Sequence, residues 1–225
     1  MKKITILFAL VAFLAAPAVK AQSERNVSGF NSIKITGPMN VNITQGDNES
    51  VRVEADQEDM ERIITEVNGN VLMISAKELK GNKDVTIHVT AKEITSVDLT
   101  GSGNVTGRNL IKGQSLRLMI AGSGNMSMDV GVNDLIVGLT GSGNLTLTGQ
   151  TQDLKMRVSG SGNADALKLH AQKADVHVSG SGNAMVNVKG DLTGSLSGSG
   201  DIEFMGTPKI NNINVRGSGK LKPVN

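Results

Sequence analysis

Apolar residues recur at fixed distances around one short motif. Gly-Ser-Gly occurs seven times, starting at Gly101, Gly122, Gly141, Gly160, Gly180, Gly198 and Gly217, with spacings of 21, 19, 19, 20, 18 and 19 residues. Two residues before each copy stand Leu99, Ile120, Leu139, Val158, Val178, Leu196 and Val215. Four residues after its first glycine stand Val105, Met126, Leu145, Ala164, Ala184, Ile202 and Leu221. Looser columns lie two places further out, with Val97, Leu118, Val137, Met156, Val176, Gly194 and Ile213 before the motif. Those after it hold Gly107, Met128, Leu147, Ala166, Val186, Phe204 and Pro223. Apolar residues at every second place, with polar or small ones between, form the alternation of a strand with one buried face. Each repeat thus predicts a strand, a glycine-rich bend, a second short strand and a variable connection.

A near-constant period of this size implies units that stack because none can bury its apolar face alone. A closed coil of about 19–20 residues, rising one strand spacing of ~4.8 Å per turn, aligns every column along one axis. The expected fold is therefore all-β, a parallel β-helix, right-handed by the twist of its strands. The segment before residue 96 is less regular. Ile33/Ile35, Val41/Ile43, Val51/Val53, Val71/Met73 and Val85/Ile87/Val89 alternate between turn-forming residues and predict further strands. Over 57–67, Met60, Ile63, Ile64 and Val67 fall at helical spacing between Asp56 and Gly69, which predicts a short amphipathic helix. An irregular unit with a helix suits an N-terminal cap. At the other end Lys220, Lys222 and Pro223 stand where the final strand would otherwise be open to further pairing, and so guard that edge.

The bend residues carry their own chemistry. Asn104, Asn125, Asn144, Asn163 and Asn183 follow five copies of the motif, replaced by Asp201 and Lys220 in the last two. Stacked asparagines predict a side-chain amide ladder. Ser102, Ser123, Ser142, Ser161, Ser181, Ser199 and Ser218 predict a row of hydroxyls, with sequence parity leaving open whether it faces in or out.

Composition adds a compartment. Lys2 and Lys3 precede an apolar run from Ile4 to Ala16, followed by small residues offering cleavage after Ala18 or, preferred here, after Ala21. This is the pattern of a secretory leader and too short for an ordinary membrane span. The expected organisation is a signal peptide over 1–21 and one domain over 22–225, with irregular coils over 22–95 and the repeats over 96–225. Loss of Lys2, Lys3 and Lys20 takes the 23 basic residues to 20 against 21 acids, a net charge of −1. That excludes the basic footprint of a nucleic-acid binder. The absence of cysteine removes disulfides, thiol chemistry and a lipid-bearing cysteine. With no Trp or Tyr, and with Phe8 and Phe13 in the leader, the core must be built from Val, Ile, Leu, Met and Ala.

Three segments ahead of the repeats are distinctive: Gly29-Phe30-Asn31-Ser32-Ile33-Lys34-Ile35, Val41-Asn42-Ile43-Thr44-Gln45-Gly46 and Val51-Arg52-Val53-Glu54-Ala55. Followed by the Gly-Ser-Gly-Asn series, they resemble the family called putative auto-transporter adhesin, head GIN domain, over nearly the whole mature chain. The resemblance implies an exported β-helical domain of a bacterial envelope, adhesin-like and with no established reaction.

Chemical motifs are sparse. Calcium-binding β-rolls use Gly-Gly-x-Gly-x-Asp nonapeptides, whereas this period is twice as long and Asp201 is the one acid among the seven bends. No copy continues into the Gly-Lys-Ser/Thr of a phosphate loop. Polysaccharide hydrolysis or elimination needs converging carboxylates or bases, yet Asp98, Asp165, Asp175, Asp191, Asp201 and Glu203 are scattered over several columns. His170, His177 and Asp175 share one coil, which is thin ground for a zinc or nucleophile site. The Asn-x-Ser/Thr triplets at Asn26, Asn42, Asn48, Asn104, Asn125 and Asn144 follow from a repeat rich in Asn, Ser and Thr and imply no glycosylation. Met119, Met126, Met128, Met156 and Met185 read as flexible core filler or surface residues, not as a copper site.

No residue is therefore assigned to a catalytic, cofactor or metal site, and no cofactor is expected. The expected role is a non-catalytic exported module presenting a repetitive polar surface for attachment or envelope organisation. The alternatives are a polysaccharide-processing β-helical enzyme and a periplasmic scaffold or sensor partner. The expected partners are an envelope polysaccharide or a surface protein, without nucleic acid and without a transmembrane segment in the mature chain. Location is expected beyond the inner membrane of a bacterium: periplasm, cell surface or medium.

Overall fold

A computed structural model describes residues 20–80 and 85–224, so the expected leader falls outside the described residues apart from Lys20 and Ala21. The first strands are β1 (Ala21–Arg25), β2 (Ser32–Thr36), β3 (Asn40–Gln45) and β4 (Ser50–Ala55). A one-turn helix α1 (Gln57–Met60) leads to β5 (Ile63–Asn68), β6 (Val71–Ala76), β7 (Thr86–Ala91) and β8 (Ser96–Gly101). The repeats follow as β9 (Asn104–Gly122), β10 (Asn125–Gly141), β11 (Asn144–Gly160) and β12 (Asn163–Gly180), whose ladders run on through the variable connection. The chain finishes with β13 (Ala184–Val188), β14 (Asp191–Gly198), β15 (Ile202–Met205), β16 (Lys209–Gly217) and β17 (Leu221–Pro223).

These strands form a parallel β-solenoid of about seven turns, nearly all β apart from one short helix. Strands following a bend stack in the order β7, β3, β9, β10, β11, β12, β13, β15, β17. Strands preceding it stack as β6, β2, β8, β9, β10, β11, β12, β14, β16. Register follows the sequence columns. Leu139 lies opposite Ile120 and Val158, and Leu145 opposite Met126 and Ala164. All six are buried within one continuous core. In-register stacking places each apolar residue on its counterpart 18 to 21 residues away, so a column remains buried as long as coils lie on both sides of it. Unequal repeat lengths are absorbed outside these columns. The two extra residues of the 21-residue repeat lie where Thr106–Leu110 runs opposite Ser127–Asp129, and one extra residue lies where Asp165–Lys168 faces Thr146–Thr148.

At the N-terminal end, chain order and spatial order diverge. The β2–β3 coil is sandwiched between the β6–β7 pair on one side and the β8–β9 coil on the other. Strand β4 then runs antiparallel to β7, and β1 antiparallel to β4. The amphipathic helix expected over 57–67 is confined to Gln57–Met60. Ile63, Ile64 and Val67 instead enter β5, which forms an antiparallel hairpin with β6. Gly69, with φ of +61°, belongs to the tight turn of this hairpin and does not end a helix. The exposed edge of β6 offers a full set of backbone partners, which outweighs a weak helical period.

Candidate functional site

Each bend is made by two glycines with different duties. The first holds a positive φ, between +114° and +126° from Gly101 to Gly217, a region open to glycine at little cost. The third residue of each motif has no such φ. It is buried against the previous coil, where a Cβ on Gly143 would stand 2.2 Å from the Gly124 carbonyl oxygen. The coils are further tied by backbone bonds, as where the N–H groups of Ser123 and Gly124 both donate to the Gly101 carbonyl at 2.9 Å.

With its backbone held in this way, the bend turns its side chains outward. All seven motif serines are exposed, as are Asn104, Asn125 and Asn144, while Asn40, Asn163 and Asn183 are half-buried. Asn104 donates its side-chain amide to Asn40 Oδ1 at 2.9 Å, Asn125 to Asn104 at 2.9 Å, Asn144 to Asn125 at 3.0 Å, and Asn163 to Asn144 at 3.4 Å. Asn183 continues the ladder to Asn163 at 2.9 Å. An amide both donates and accepts, so the row can extend from coil to coil, whereas a carboxylate only accepts. Asp201 accordingly closes it: its backbone N–H donates to Asn183 Oδ1, while its carboxylate accepts from the Lys220 N–H and the Lys222 ammonium. The Lys222 hydrogen bond, then that of Lys220, hold the Asp201 carboxyl below its ordinary range. The same pairing with Asp201 raises the Lys222 ammonium.

The ladder begins one coil earlier than the motif indicates. Gly37-Pro38-Met39-Asn40 is an eighth, degenerate bend: Gly103 and Asn104 donate their N–H groups to the carbonyls of Gly37 and Met39. Met39 replaces the inner glycine and is buried. Only the recurrence of Gly and Asn at the same interval of three could have signalled it in the sequence.

Beside the amides runs a second outward row of Thr106, Ser127, Thr146, Asp165, Met185, Glu203 and Lys222, in register along the stack. It extends beyond Thr106 through Asn42, His88 and Arg52. The hydroxyls give way to charges toward the C-terminal end.

The histidines anticipated as a weak cluster are separated in function. His170 lies in the connection, its Nδ1 3.2 Å from the Asn187 amide, in an open groove with Gln150, Gln172 and Lys189. His177 lies on the outer face of the strands that precede the bends. Its Nε2 is 3.2 Å from Asp175 and its Nδ1 2.8 Å from Ser195 Oγ. Ser195 was invisible to sequence reasoning because it belongs to the next coil, 18 residues away. Acid, imidazole and hydroxyl are thus in line, but the neighbouring backbone N–H groups are engaged in the ladders with β14 and β16. On its other side Arg157 lies opposite His177, and with Arg117 and Lys155 it lines the same open groove. Thr193 also donates to Asp175 at 3.2 Å, making the trio part of a cross-strand polar network. Of the other acids, Asp98 and Asp191 lie apart, Asp165 and Glu203 share the outward row, and Asp201 and Glu203 both act on Lys222. Among the described residues, no three His, Asp or Glu side chains converge as a metal ion requires. The grooves are open, and two of them are each about 290 Å³.

The architecture defines a β-solenoid whose distinctive surface is a register-locked polar ladder. The chain belongs to the putative auto-transporter adhesin, head GIN domain family, whose model matches residues 29–208. Solved structures that share the fold include three from gut bacteria of the genera Bacteroides and Parabacteroides. A putative adhesin from Bacteroides fragilis is 23% identical, with a TM-score of 0.85 over 91% of this chain and 97% of that one. A putative lipid binding protein from Parabacteroides distasonis is 24% identical, with a TM-score of 0.75 over 93% and 98%. A putative adhesin from Parabacteroides merdae is 17% identical, with a TM-score of 0.69 over 93% and 98%. No curated protein sequence matches the chain. Among the described residues no helix is long and apolar enough to cross a membrane.

Proposed function

We propose that this chain is a non-catalytic, exported attachment module that offers its bend edge and hydroxyl row as a broad polar contact surface to an envelope or surface polysaccharide. The observation that carries the reading is the asparagine ladder, which repeats one donor–acceptor rung from Asn40 to Asn183 and is exposed to solvent along much of its length. A polymer with repeating hydroxyls can satisfy successive rungs, each weakly, and gains strength from the number engaged. Membership of the adhesin-like family supports attachment, and the leader pattern at Lys2 to Ala21 supports export.

The test is a panel of acidic and neutral polysaccharides presented to the purified chain in monomeric and bead-displayed form. The expected result is no cleavage, with binding that strengthens sharply on multivalent display and weakens when Asn125 and Asn144 are replaced. The Asp175–His177–Ser195 line gives the enzymatic alternative one specific observation. Cleavage abolished by His177→Ala would replace attachment by that reading. Fractionation with surface proteolysis separates an exposed adhesin from a periplasmic scaffold.

A further inference from the structure

We infer that the two ends of the solenoid are complementary and that copies of this chain associate head to tail into a continuous rod. The motive is a break in an otherwise uniform column. Leu99, Ile120, Leu139, Val158, Val178 and Leu196, all two residues before a bend, are at most 2% exposed, whereas Val215, their counterpart in the last coil, is 43% exposed. Ile210 of the same strand is 45% exposed, and Ile213 is only partly buried. These side chains have the inward parity of the core and lie open because no described residue stacks beyond β16 and β17. The unpaired edge of β16 accompanies them, a combination that invites another chain, whereas Lys222 and Pro223 blunt the edge of β17.

Charge identifies the partner. Among residues 209–224, Lys209, Arg216, Lys220 and Lys222 carry positive charge, with no acid. At the opposite end the outermost strands are β1 and β5, paired among the described residues only with β4 and β6. Glu24, Glu58, Glu61 and Glu66 are exposed there. The local arginines are turned elsewhere: Arg25 donates to the Met60 carbonyl at 2.9 Å, Arg62 to the Glu78 carbonyl at 2.9 Å, and Arg52 lies 3.4 Å from Glu54, while Lys20, Lys77 and Lys80 are exposed and offset part of the acidic charge. A second copy seated end to end therefore joins opposite charges, while two like ends facing each other repel.

Strand polarity and parity are compatible with that joint. Because β5 runs antiparallel to β6, it meets β16 of the next copy antiparallel. Thr65 and Val67 lie opposite the buried Ile74 and Leu72, so they share the inward parity of Ile213 and Val215. Glu66 has the outward parity of Arg216. A contact between two different ends is heterologous and propagates as an open filament. This proposal stands apart from the attachment reading, since a monomer that binds polysaccharide would remove the first and leave the second intact.

The test follows mass by light scattering and sedimentation on the chain purified from Gln22 to Asn225. Mass is expected to rise with concentration and to fall as salt goes from about 0.01 M to about 1 M, where the screening length drops from about 30 Å to about 3 Å. Lys209→Glu with Arg216→Glu, and separately Glu24→Lys with Glu66→Lys, each weaken association at least about tenfold in apparent Kd. Thermal melts verify that each double variant is folded, and Lys209→Gln with Arg216→Gln serves as a milder version. Mixing the two charge-reversed proteins restores assembly, because each basic end now meets an acidic one. A monomer at all concentrations and salts overturns the proposal. So does a closed dimer insensitive to Glu24→Lys with Glu66→Lys, or a mixture that fails to recover.

Discussion

Asn144 donates its side-chain amide to Asn125 across one coil step, and Asn125 passes the same bond on to Asn104. Asn125 therefore serves as acceptor and donor at once. Asn125→Ala severs the row on both sides. A net hydrogen bond contributes about 0.5–1.5 kcal/mol, and exposure places this pair at the low end. The expected outcome is a loss of about 1 kcal/mol in urea unfolding, with Asn125→Asp also destabilising because it removes the donor to Asn104.

Position in the stack sets the cost of deleting an apolar side chain. Leu139→Ala, between Ile120 and Val158, should lose about 2–5 kcal/mol. Val215→Ala in the same column should change stability by no more than about 0.5 kcal/mol when measured on dilute protein. Equal losses in chemical denaturation would contradict the open last coil.

Glycines separate by geometry, not by motif membership. A Cβ on Gly143 meets the Gly124 oxygen at 2.2 Å without a positive φ, so close approach of coils is its requirement. Gly149 lies in a connection that the sequence marks as variable. It nevertheless has φ of +104° and a prospective Cβ 2.1 Å from the Val130 oxygen. Gly113 has neither restriction, its nearest such contact being 4.0 Å. Gly143→Ala and Gly149→Ala are each expected to lower stability by more than about 1–3 kcal/mol, the scale of one strained residue. Thermal melts should find Gly113→Ala tolerated.

The junction of Asp201 with Lys222 predicts a local response to pH. Because the Asp201 carboxyl is held below its ordinary value of 3.8, its contribution is complete above that value and is lost as pH falls toward the lowered one. Lys222 is raised, so its contribution is complete below its ordinary 10.5 and is lost as pH rises through the raised value. The protection of β17 amides, taken relative to their intrinsic exchange rates, should be steady near neutrality and fall in strong acid before that of the central coils. Asp201→Asn should remove that acid limb.

Calcium should have no effect on the melting temperature, since the bends present amides and hydroxyls and only one carboxylate. A rise reversed by chelator would require oxygen ligands that the coils do not bring together.

The buried columns were legible because a parallel in-register stack makes sequence period and structural period the same quantity. Leu139 has one environment, repeated at Ile120 and Val158, and no long-range information is needed to recognise it. The asparagine row followed from the same identity of periods. Other features depend on which strand lies beside which. Ile63 to Asn68 became a strand because the β6 edge was available, a fact absent from its own helical spacing. Ser195 meets His177 only through the register of adjacent coils. Met39 could fill an inner glycine's place because its bend lies where the regular repeat gives way to the cap.

By itself, then, the sequence determined the all-β solenoid, its period, its buried columns and the chemistry of its bends, since each coil repeats a local pattern that needs burial on one side. Tertiary structure alone decided that the serines and asparagines face solvent, that Gly149 is constrained and that Val215 is uncovered. Outward or inward direction, close backbone approach and the absence of a neighbour are properties of packed coils, and no single coil encodes them.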